Sequence, residues 1–305
     1  MQIGTMKIGI DSYCFHRFFG EVYEGQPEPD AAMTMEDFLD FAVGLGVDGV
    51  SLESCFFPST EASWFRQLKA SLDDHGLERV YAWGHPQGLE DGANHAALED
   101  MIAQIDNAVE IGAEVMRVVP GPGPGDYRYL PRQPRLDILA GWFGEAARAA
   151  AQRGVKLAAE NHGDYTAREM LWLVEAVGSP YFGVNFDSGN FLRLLDDPLG
   201  AMETLRQYVF ATHIKDLKVR RDVPASEWYF FSSTPVGEGL IDIGHVIRLL
   251  AEANYDGLLA VEVDHLHPDY GYDEHMAVRQ SIGELRRLTA PDALAPAGNR
   301  SPATA

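Results

Sequence analysis

Residues 147–161, ARAAAQRGVKLAAEN, contain the pattern on which the fold prediction depends. An alanine-rich segment ends at Gly154, and a short apolar run follows it. Glycine just past a helix readily takes the left-handed conformation that ends it, and the apolar run is typical of a buried parallel strand. The segment therefore predicts a helix followed by a strand. Three further segments share the pattern: FAVGLGVDGVSLES (41–54), AVEIGAEVMRVV (108–119) and AEANYDGLLAVEVD (251–264).

Repetition of this unit predicts an α/β fold with a parallel sheet. The expected strands lie near 6–11, 48–53, 78–83, 114–119, 155–160, 182–187, 209–215 and 258–263. The expected helices lie near 34–45, 61–75, 94–111, 134–153, 166–177, 197–207, 242–253 and 273–288. Eight such units fit a single (β/α)8 TIM barrel over residues 1–289. A doubly wound open sheet is the alternative, although no G-x-G-x-x-G motif follows the first strand.

Two long stretches interrupt the regular units. Residues 13–30 follow the first expected strand, and residues 217–239 follow the seventh. In a barrel both lie on the C-terminal face, where active sites are built, and long loops there are commonly lids. Residues 290–305 are rich in proline and alanine, and we expect a disordered tail there.

Charge and composition exclude several classes of partner. The chain has 24 Lys and Arg against 46 Asp and Glu, a net charge of −22. This charge repels nucleic acids and anionic membranes, so neither is an expected partner. No apolar run approaches the roughly 18 residues that span a bilayer, and no signal peptide is recognisable, so we expect a cytoplasmic protein. Cys14 and Cys55 are expected to be free thiols.

Four polar residues stand at or near the ends of the last four expected strands. Glu160 ends KLAAE, Asp187 ends FGVNFD, His213 lies in FATHIKD and Glu262 lies in LLAVEVD. A charged group at the end of a buried strand is costly unless it is paired or bound to a metal. Because strand ends meet at one mouth of a barrel, we expect the four side chains to converge.

Three carboxylates and one imidazole form an oxygen-rich site that suits one divalent ion. We expect Mn²⁺, with Mg²⁺ or Co²⁺ as alternatives, rather than structural Zn²⁺, which prefers thiolates and several histidines. The other interpretation is a buried salt-bridge network with Lys156, Lys215 or Arg117. Each residue alone favours that network, whereas the four together at barrel spacing favour the metal.

Five segments occur in a characteristic order: AENHGDY (159–165), NFDSGN (185–190), THIKD (212–216), VGEGLID (236–242) and AVEVD (260–264). The set resembles the sugar phosphate isomerase/epimerase superfamily, the xylose-isomerase-like barrels. The resemblance covers nearly the whole chain. It implies that Glu160, Asp187, His213 and Glu262 bind a divalent ion, and that Glu160 and Glu262 exchange protons with the sugar.

Enolisation beside a carbonyl is the chemistry that such a site performs. A metal that chelates a ketone and its neighbouring hydroxyl makes the adjacent C–H more acidic, and a nearby carboxylate or histidine takes the proton. Epimerisation, isomerisation or elimination of a β-leaving group can follow. Ketose 3-epimerases of the superfamily carry a histidine where this chain has Asn190, and their arginine motif does not align with KDLKVRR (215–221). Both departures disfavour a free-ketose 3-epimerase.

A second resemblance lies in DSYCFHRFFGEVYEGQ, residues 11–26. This segment is similar to the start of the catalytic subunits of bacterial C-glycoside deglycosidases. That resemblance implies a 3-keto glycoside substrate, the same metal site, and a base at His162 beside the first glutamate ligand. It also implies a separately encoded small β-sandwich partner subunit, and a homo-oligomer is the other possible assembly.

Seven further residues follow strand ends or lie in the long loops, and we predict that they contact the substrate: His16, Arg17, Glu53, His85, Asn190, Lys215 and Trp228. Alternatives remain for several. His16 and Arg17 can form an ordinary loop pair, and Lys215 can orient the site through an ion pair. Trp228, like Trp83, can pack or anchor a lid instead of stacking on a sugar.

The favoured interpretation is therefore a metal-dependent enzyme that enolises a keto sugar, with His162, Glu160 and Glu262 as the catalytic residues. Its best-supported reaction is cleavage of a 3-keto C-glycoside by a lyase, and isomerisation or epimerisation of a free keto sugar is the alternative. An apurinic-site endonuclease is a remote alternative because the net charge of −22 opposes DNA approach. A non-catalytic sugar-binding protein is disfavoured by the complete set of four ligands.

Overall fold

Eight parallel strands close into a barrel, which confirms the predicted (β/α)8 fold. The computed structural model describes residues 6–85, 87–122 and 132–294. The eight barrel strands are β1 Lys7–Asp11, β2 Gly49–Glu53, β3 Glu78–Ala82, β4 Val115–Val118, β5 Lys156–Glu160, β6 Phe182–Asp187, β7 Val209–Ile214 and β10 Leu258–Val261. Around the barrel each strand neighbours the next in this order, and β10 closes the ring against β1.

The principal helices surround this barrel, and each begins within two residues of its expected position. They are α1 Met35–Leu45, α2 Ala62–Asp74, α3 His95–Glu110, α4 Arg132–Arg153, α5 Ala167–Val177, α7 Pro198–Leu205, α8 Ile243–Glu252 and α9 Glu274–Leu288. Gly46, Gly112 and Gly154 follow their helices with φ of 65°, 76° and 73°, as the sequence pattern predicted. Asn254 takes the corresponding left-handed conformation before β10, with φ of 59°.

The core lies between the strands and the inward faces of the helices. Phe143 of α4 packs on Phe182 of β6 with a distance of 4.8 Å between ring centroids, and both rings are buried. The apolar side chains of the strands and helices fill this core. The polar residues at the C-terminal ends of the strands line the mouth of the barrel.

Two elements near the mouth were absent from the sequence prediction. A short helix, α6 (Ser188–Arg193), begins directly after β6, and Asp187 caps it by accepting hydrogen bonds from Gly189 N and Asn190 N. Residues after β7 form an antiparallel hairpin of β8 (Asp216–Val219) and β9 (Phe231–Thr234). Six residues are too few to show a helical period, which explains why α6 was missed.

The expected tail lies only partly within the described residues. Pro291–Leu294 form a short helix, α10, and residues 295–305 lie outside the described part of the chain. Disorder of those last residues stays a prediction. Across residues 6–85, 87–122 and 132–294, no helix has the length and apolar character needed to cross a bilayer.

Candidate active site

The ends of β5, β6, β7 and β10 bring the four predicted ligands together. One ligand atom from each of Glu160, Asp187, His213 and Glu262 can be chosen so that all lie within 4.8 Å of one another. His213 Nδ1 lies 2.8 Å from Glu262 Oε2, 3.6 Å from Glu160 Oε1 and 3.9 Å from Asp187 Oδ2. All four side chains are buried. The group has the size and donor set to hold one metal ion.

Two buried cations lie beside this group, as the salt-bridge interpretation expected. Arg117 Nε is 2.6 Å from Glu160 Oε2, and Lys215 Nζ is 2.9 Å from Asp187 Oδ2. However, each cation also pairs with a further acid, Arg117 with Glu53 at 3.0 Å and Lys215 with Asp264 at 2.9 Å. The third predicted cation, Lys156, lies over the Phe210 ring instead.

The group therefore keeps a surplus of negative charge and unsatisfied atoms. Buried Glu160 Oε2, Glu262 Oε2 and both ring nitrogens of His213 make no directed hydrogen bond among the described residues. Glu160 Oε2 has only its ion-pair contact with Arg117, and Glu262 Oε2 has only its contacts with His213 and Lys215. Unsatisfied buried donors and acceptors are costly, and a divalent cation would satisfy these atoms and offset the charge. The residues present fit a metal ion better than they fit a closed salt-bridge network.

Helix α6 orients two of the ligands. The Asn190 amide donates to Asp187 Oδ2 at 2.9 Å and to Glu160 Oε1 at 3.2 Å. Arg193 donates in turn to Asn190 Oδ1 at 2.9 Å, and Asp264 holds Arg193 in a two-pronged ion pair. Asn190 thus supports the ligand group directly, and Arg193 fixes its amide.

The local charges keep two ligand carboxylates ionised. Burial opposes ionisation of Glu160, but Arg117 and His213 outweigh it and hold the pKa of Glu160 well below its ordinary value. Burial likewise opposes ionisation of Glu262, yet Lys215 and His213 lower its pKa to about 2. In Asp187, burial prevails over Lys215 and raises the pKa to about 7.

A cavity of about 450 Å³ opens onto the ligand group at the barrel mouth. The side chains that line it include six of the predicted site residues besides Glu262: Glu53, His85, His162, Asn190, Lys215 and Trp228. Tyr13 and Tyr23, from the loop after β1, also line it. Tyr23 and Trp228 meet edge to face with 5.0 Å between ring centroids. This contact joins the two long loops across the mouth and gives the cavity an aromatic wall.

His162 lies in the wall of the cavity beside the ligand group. It follows β5, lines the cavity, and its buried Nδ1 makes no hydrogen bond among the described residues. Its backbone N–H donates to Asp164 Oδ1 at 3.1 Å, which holds the turn. Burial lowers the pKa of the His162 imidazole, although the Glu160 carboxylate acts in the opposite direction. A neutral imidazole can accept a proton.

Two predicted substrate contacts lie away from the cavity wall. Both ring nitrogens of His16 lie 2.5 Å from backbone carbonyl oxygens, those of Glu21 and Asp264. Arg17 pairs with Glu274 in the wall of a separate apolar depression. These residues order the loop after β1, because their polar atoms are already engaged by protein groups. Trp83, which was considered for stacking, is buried and donates to Asp100 at 2.8 Å.

The sequence prediction overlooked Arg193, Tyr13 and Tyr23 as site residues. Arg193 could be placed only once α6 was known, because the helix turns it towards Asn190 and Asp264. Tyr13 and Tyr23 belong to the segment 11–26 that was singled out, yet nothing in their spacing indicates that both face the cavity.

Comparison with known proteins agrees with this fold. The family model described as a xylose isomerase-like TIM barrel matches residues 39–288. Inosose dehydratase of Clostridium beijerinckii is 24% identical over 218 residues, which cover 65% of this chain and 72% of that protein.

Two solved structures share the fold at lower sequence identity. A D-psicose 3-epimerase crystallised in the presence of D-fructose superposes with a TM-score of 0.72 at 15% identity, covering 93% of this chain and 99% of that one. The IolI protein with a bound zinc atom superposes with a TM-score of 0.70 at 13% identity, covering 93% and 98%. The named relatives include enzymes: a dehydratase, which is a lyase, and a sugar epimerase.

Proposed function

Because the chain belongs to the xylose isomerase-like TIM barrel family, we propose that it is a divalent-metal-dependent enzyme that removes a proton beside the carbonyl of a keto sugar. One observation carries this proposal: the buried group of Glu160, Asp187, His213 and Glu262 adjoins a cavity of about 450 Å³ that His162 also lines. The residues that could bind a metal, a histidine that could act as a base and a cavity large enough for a sugar thus lie side by side.

The residues divide the work as follows. Glu160, Asp187, His213 and Glu262 would hold the ion, which when bound supplies Lewis acidity that lowers the pKa of a C–H beside a ketone. His162 takes that proton at a ring nitrogen. Lys215, which lines the cavity, places a fixed positive charge near the ketone and so favours the negative charge that develops on its oxygen.

For the overall reaction we propose cleavage of a 3-keto C-glycoside by a lyase. The segment 11–26 contributes Tyr13 and Tyr23 to the aromatic cavity wall, which suits a substrate that carries an aglycone beside the sugar. The relative from Clostridium beijerinckii is a dehydratase, and loss of water is also an elimination. Epimerisation of a free keto sugar is the second candidate, supported by the fold shared with D-psicose 3-epimerase.

For the cofactor we propose one Mn²⁺ ion, on the basis of the oxygen-rich donor set, with Mg²⁺ or Co²⁺ as alternatives. The zinc atom in the IolI protein makes Zn²⁺ a fourth ion to test. An apurinic-site endonuclease is not proposed, because the described residues form a single potential metal group and the net charge is −22.

The assembly and location are also part of the proposal. A small β-sandwich subunit would bind this chain as the partner of a cytoplasmic deglycosidase, and a homo-oligomer is the alternative. Co-purification from the native source tests for the subunit, and light scattering on the purified chain tests for the homo-oligomer.

Two assays on purified protein test the reaction. A 3-keto glycoside is incubated in deuterated water with Mn²⁺, and both aglycone release and deuterium at the carbon next to the ketone are measured. A free ketose is treated in parallel. Aglycone release supports the lyase, whereas deuterium incorporation without release supports the epimerase. If neither aglycone release nor deuterium incorporation occurs with each of the four metals in turn, the proposed function is contradicted.

A further inference from the structure

Glu53 is a buried acid in the cavity wall. It has no role in the removal of the proton by His162. It ends β2, which lies opposite β6 in the ring of eight strands, so Glu53 and the ligand Asp187 face each other across the mouth. Its side chain is only 2% exposed and lines the same cavity as His162 and Lys215. A sugar bound in this cavity would therefore be within reach of both Glu262 and Glu53, which line it.

Arg117 links Glu53 to the ligand group through one guanidinium. Arg117 Nη2 lies 3.0 Å from Glu53 Oε1, and Nε of the same side chain lies 2.6 Å from Glu160 Oε2. Arg117 Nη1 reaches Glu53 Oε2 only at 3.5 Å. The guanidinium therefore contacts both oxygens of Glu53, and the longer contact is the one to Oε2.

Burial favours the protonated form of Glu53. It raises the pKa of Glu53 to about 8, although Arg117 acts against it. A carboxyl that holds its proton at neutral pH can donate that proton to a leaving group.

The two tyrosine hydroxyls of this wall are already engaged. The Tyr13 hydroxyl contacts the Tyr23 hydroxyl and lies 3.2 Å from Glu21 Oε1. Burial, followed by the charges of Tyr23 and Glu21, raises the pKa of Tyr13 well above its ordinary value. Tyr13 is therefore a poorer acid than Glu53, although it lines the same cavity.

We propose that Glu53 is a catalytic acid that protonates the leaving aglycone. This inference rests on the proposed function. His162 takes the proton from C2 of a 3-keto glycoside, and the C–H electron pair moves into an enolate with C3. When the C3 carbonyl re-forms, a C1–C2 double bond forms and the C1–aglycone bond breaks. The aglycone leaves with that electron pair and takes the proton of Glu53.

The products are an unsaturated keto sugar and the protonated aglycone. His162 is left protonated and Glu53 ionised, so one proton passed through solvent from His162 to Glu53 restores the enzyme. No oxidant or reductant is needed.

The test compares two leaving groups in the variant Glu53→Gln. Nitrophenolate leaves a 4-nitrophenyl 3-keto glucoside without a proton, whereas methoxide requires one to leave the methyl analogue. We expect Glu53→Gln to slow methanol release by about 100-fold or more and nitrophenol release by less than about tenfold. Glu53→Asp keeps an acid and should recover part of the methanol release.

Two control variants accompany the test. Tyr13→Phe removes another hydroxyl of the cavity wall and should change both releases by the same factor. Glu203→Gln makes the same chemical change on the exposed face of α7 and should alter neither rate. The ratio of the two rates comes from one preparation, so a partly unfolded variant does not distort it.

Equal slowing of both leaving groups in Glu53→Gln, or no slowing of methanol release, overturns the role of Glu53. Failure of the proposed function is recognised separately, in the unmodified enzyme. If that enzyme neither exchanges the C2 proton for deuterium nor releases either aglycone, the proposed reaction is contradicted, and the role of Glu53 falls with it.

Discussion

The two halves of the barrel mouth differ in what their strand ends carry. The ligand half, formed by β5, β6, β7 and β10, presents Glu160, Asp187, His213 and Glu262 within 4.8 Å of one another. The opposite half, formed by β1 to β4, contributes Glu53 and Arg117 from its strands and Tyr13 and His85 from the residues that follow them. Among the described residues, the opposite half holds no comparable metal group.

This difference separates two tasks. Under the proposed function, the ligand half would act on the carbonyl, because its acids converge and are held by Lys215 and Asn190. The opposite half would face the rest of the substrate with the acid Glu53 and the ring of Tyr13. Arg117 spans the two halves by pairing with both Glu160 and Glu53. Variation in the opposite half can therefore change the fate of an enolate without altering the metal group.

The largest effect is expected from the ligand half. Asp187→Asn removes a ligand charge at nearly constant volume, so bound metal should fall from about one ion per chain to almost none, and C2 deuterium exchange should fall about 1,000-fold. Elemental analysis and exchange measured by NMR check this. Asp74→Ala, on an exposed position of α2, should change neither quantity. Full metal content in Asp187→Asn would show that the four residues do not act as one site.

A base beside the ligand half should affect chemistry without affecting the metal. His162→Asn should slow C2 exchange by about 100-fold or more, because proton transfer by a positioned side chain contributes that much. Metal content should stay at the level of the unmodified protein. His75→Asn, exposed at the end of α2, is the matched control. If His162→Asn exchanges the C2 proton at the normal rate, His162 is not the base, and Glu160 or Glu262 would be the candidate instead.

A smaller effect is expected from the residue that orients the ligands. Asn190→Ala removes the hydrogen bonds to Asp187 and Glu160, and loss of such outer contacts typically weakens metal binding about 10- to 100-fold. Calorimetric titration with Mn²⁺ measures the affinity. If binding is unchanged, α6 does not position the ligand half, and Asn190 would then act only on substrate.

The smallest effect is expected at the aromatic wall. Trp228→Ala removes a ring that contacts Tyr23, and an aromatic contact contributes about 1 kcal/mol, or roughly fivefold in affinity. We expect KM to rise by that factor for an aryl 3-keto glycoside and to stay constant for the methyl analogue. An equal rise for both substrates would mean that Trp228 anchors the loops and does not contact the aglycone.

Prediction from sequence succeeded where a local pattern implies a local structure. The apolar runs and terminal glycines located all eight barrel strands and eight helices, with ends that differ by no more than two residues. The convergence of the four predicted ligands followed from the barrel itself, since parallel strands place their C-terminal ends at one mouth. His162, Asn190 and Lys215, which neighbour those ligands in the same motifs, line the adjoining cavity, and their roles there stay predictions.

Prediction was weakest where distant segments meet. His16 and Arg17 follow β1 as closely as Tyr13 does, yet only Tyr13 lines the cavity. The turn after β1 points His16 and Arg17 towards the loop carbonyls and Glu274. Likewise the contact between Tyr23 and Trp228 joins residues 205 positions apart, and no local pattern records it.

The sequence by itself determined the barrel, the ligand half and the acidic character of the protein, because periodicity, glycine placement and charge are properties of the chain alone. Only the tertiary structure decided which loop residues face the cavity and that Arg117 joins Glu160 to Glu53. The physical reason is that ionisation and access depend on burial and on the nearest opposite charge. At the barrel mouth, both come from residues far apart in the chain.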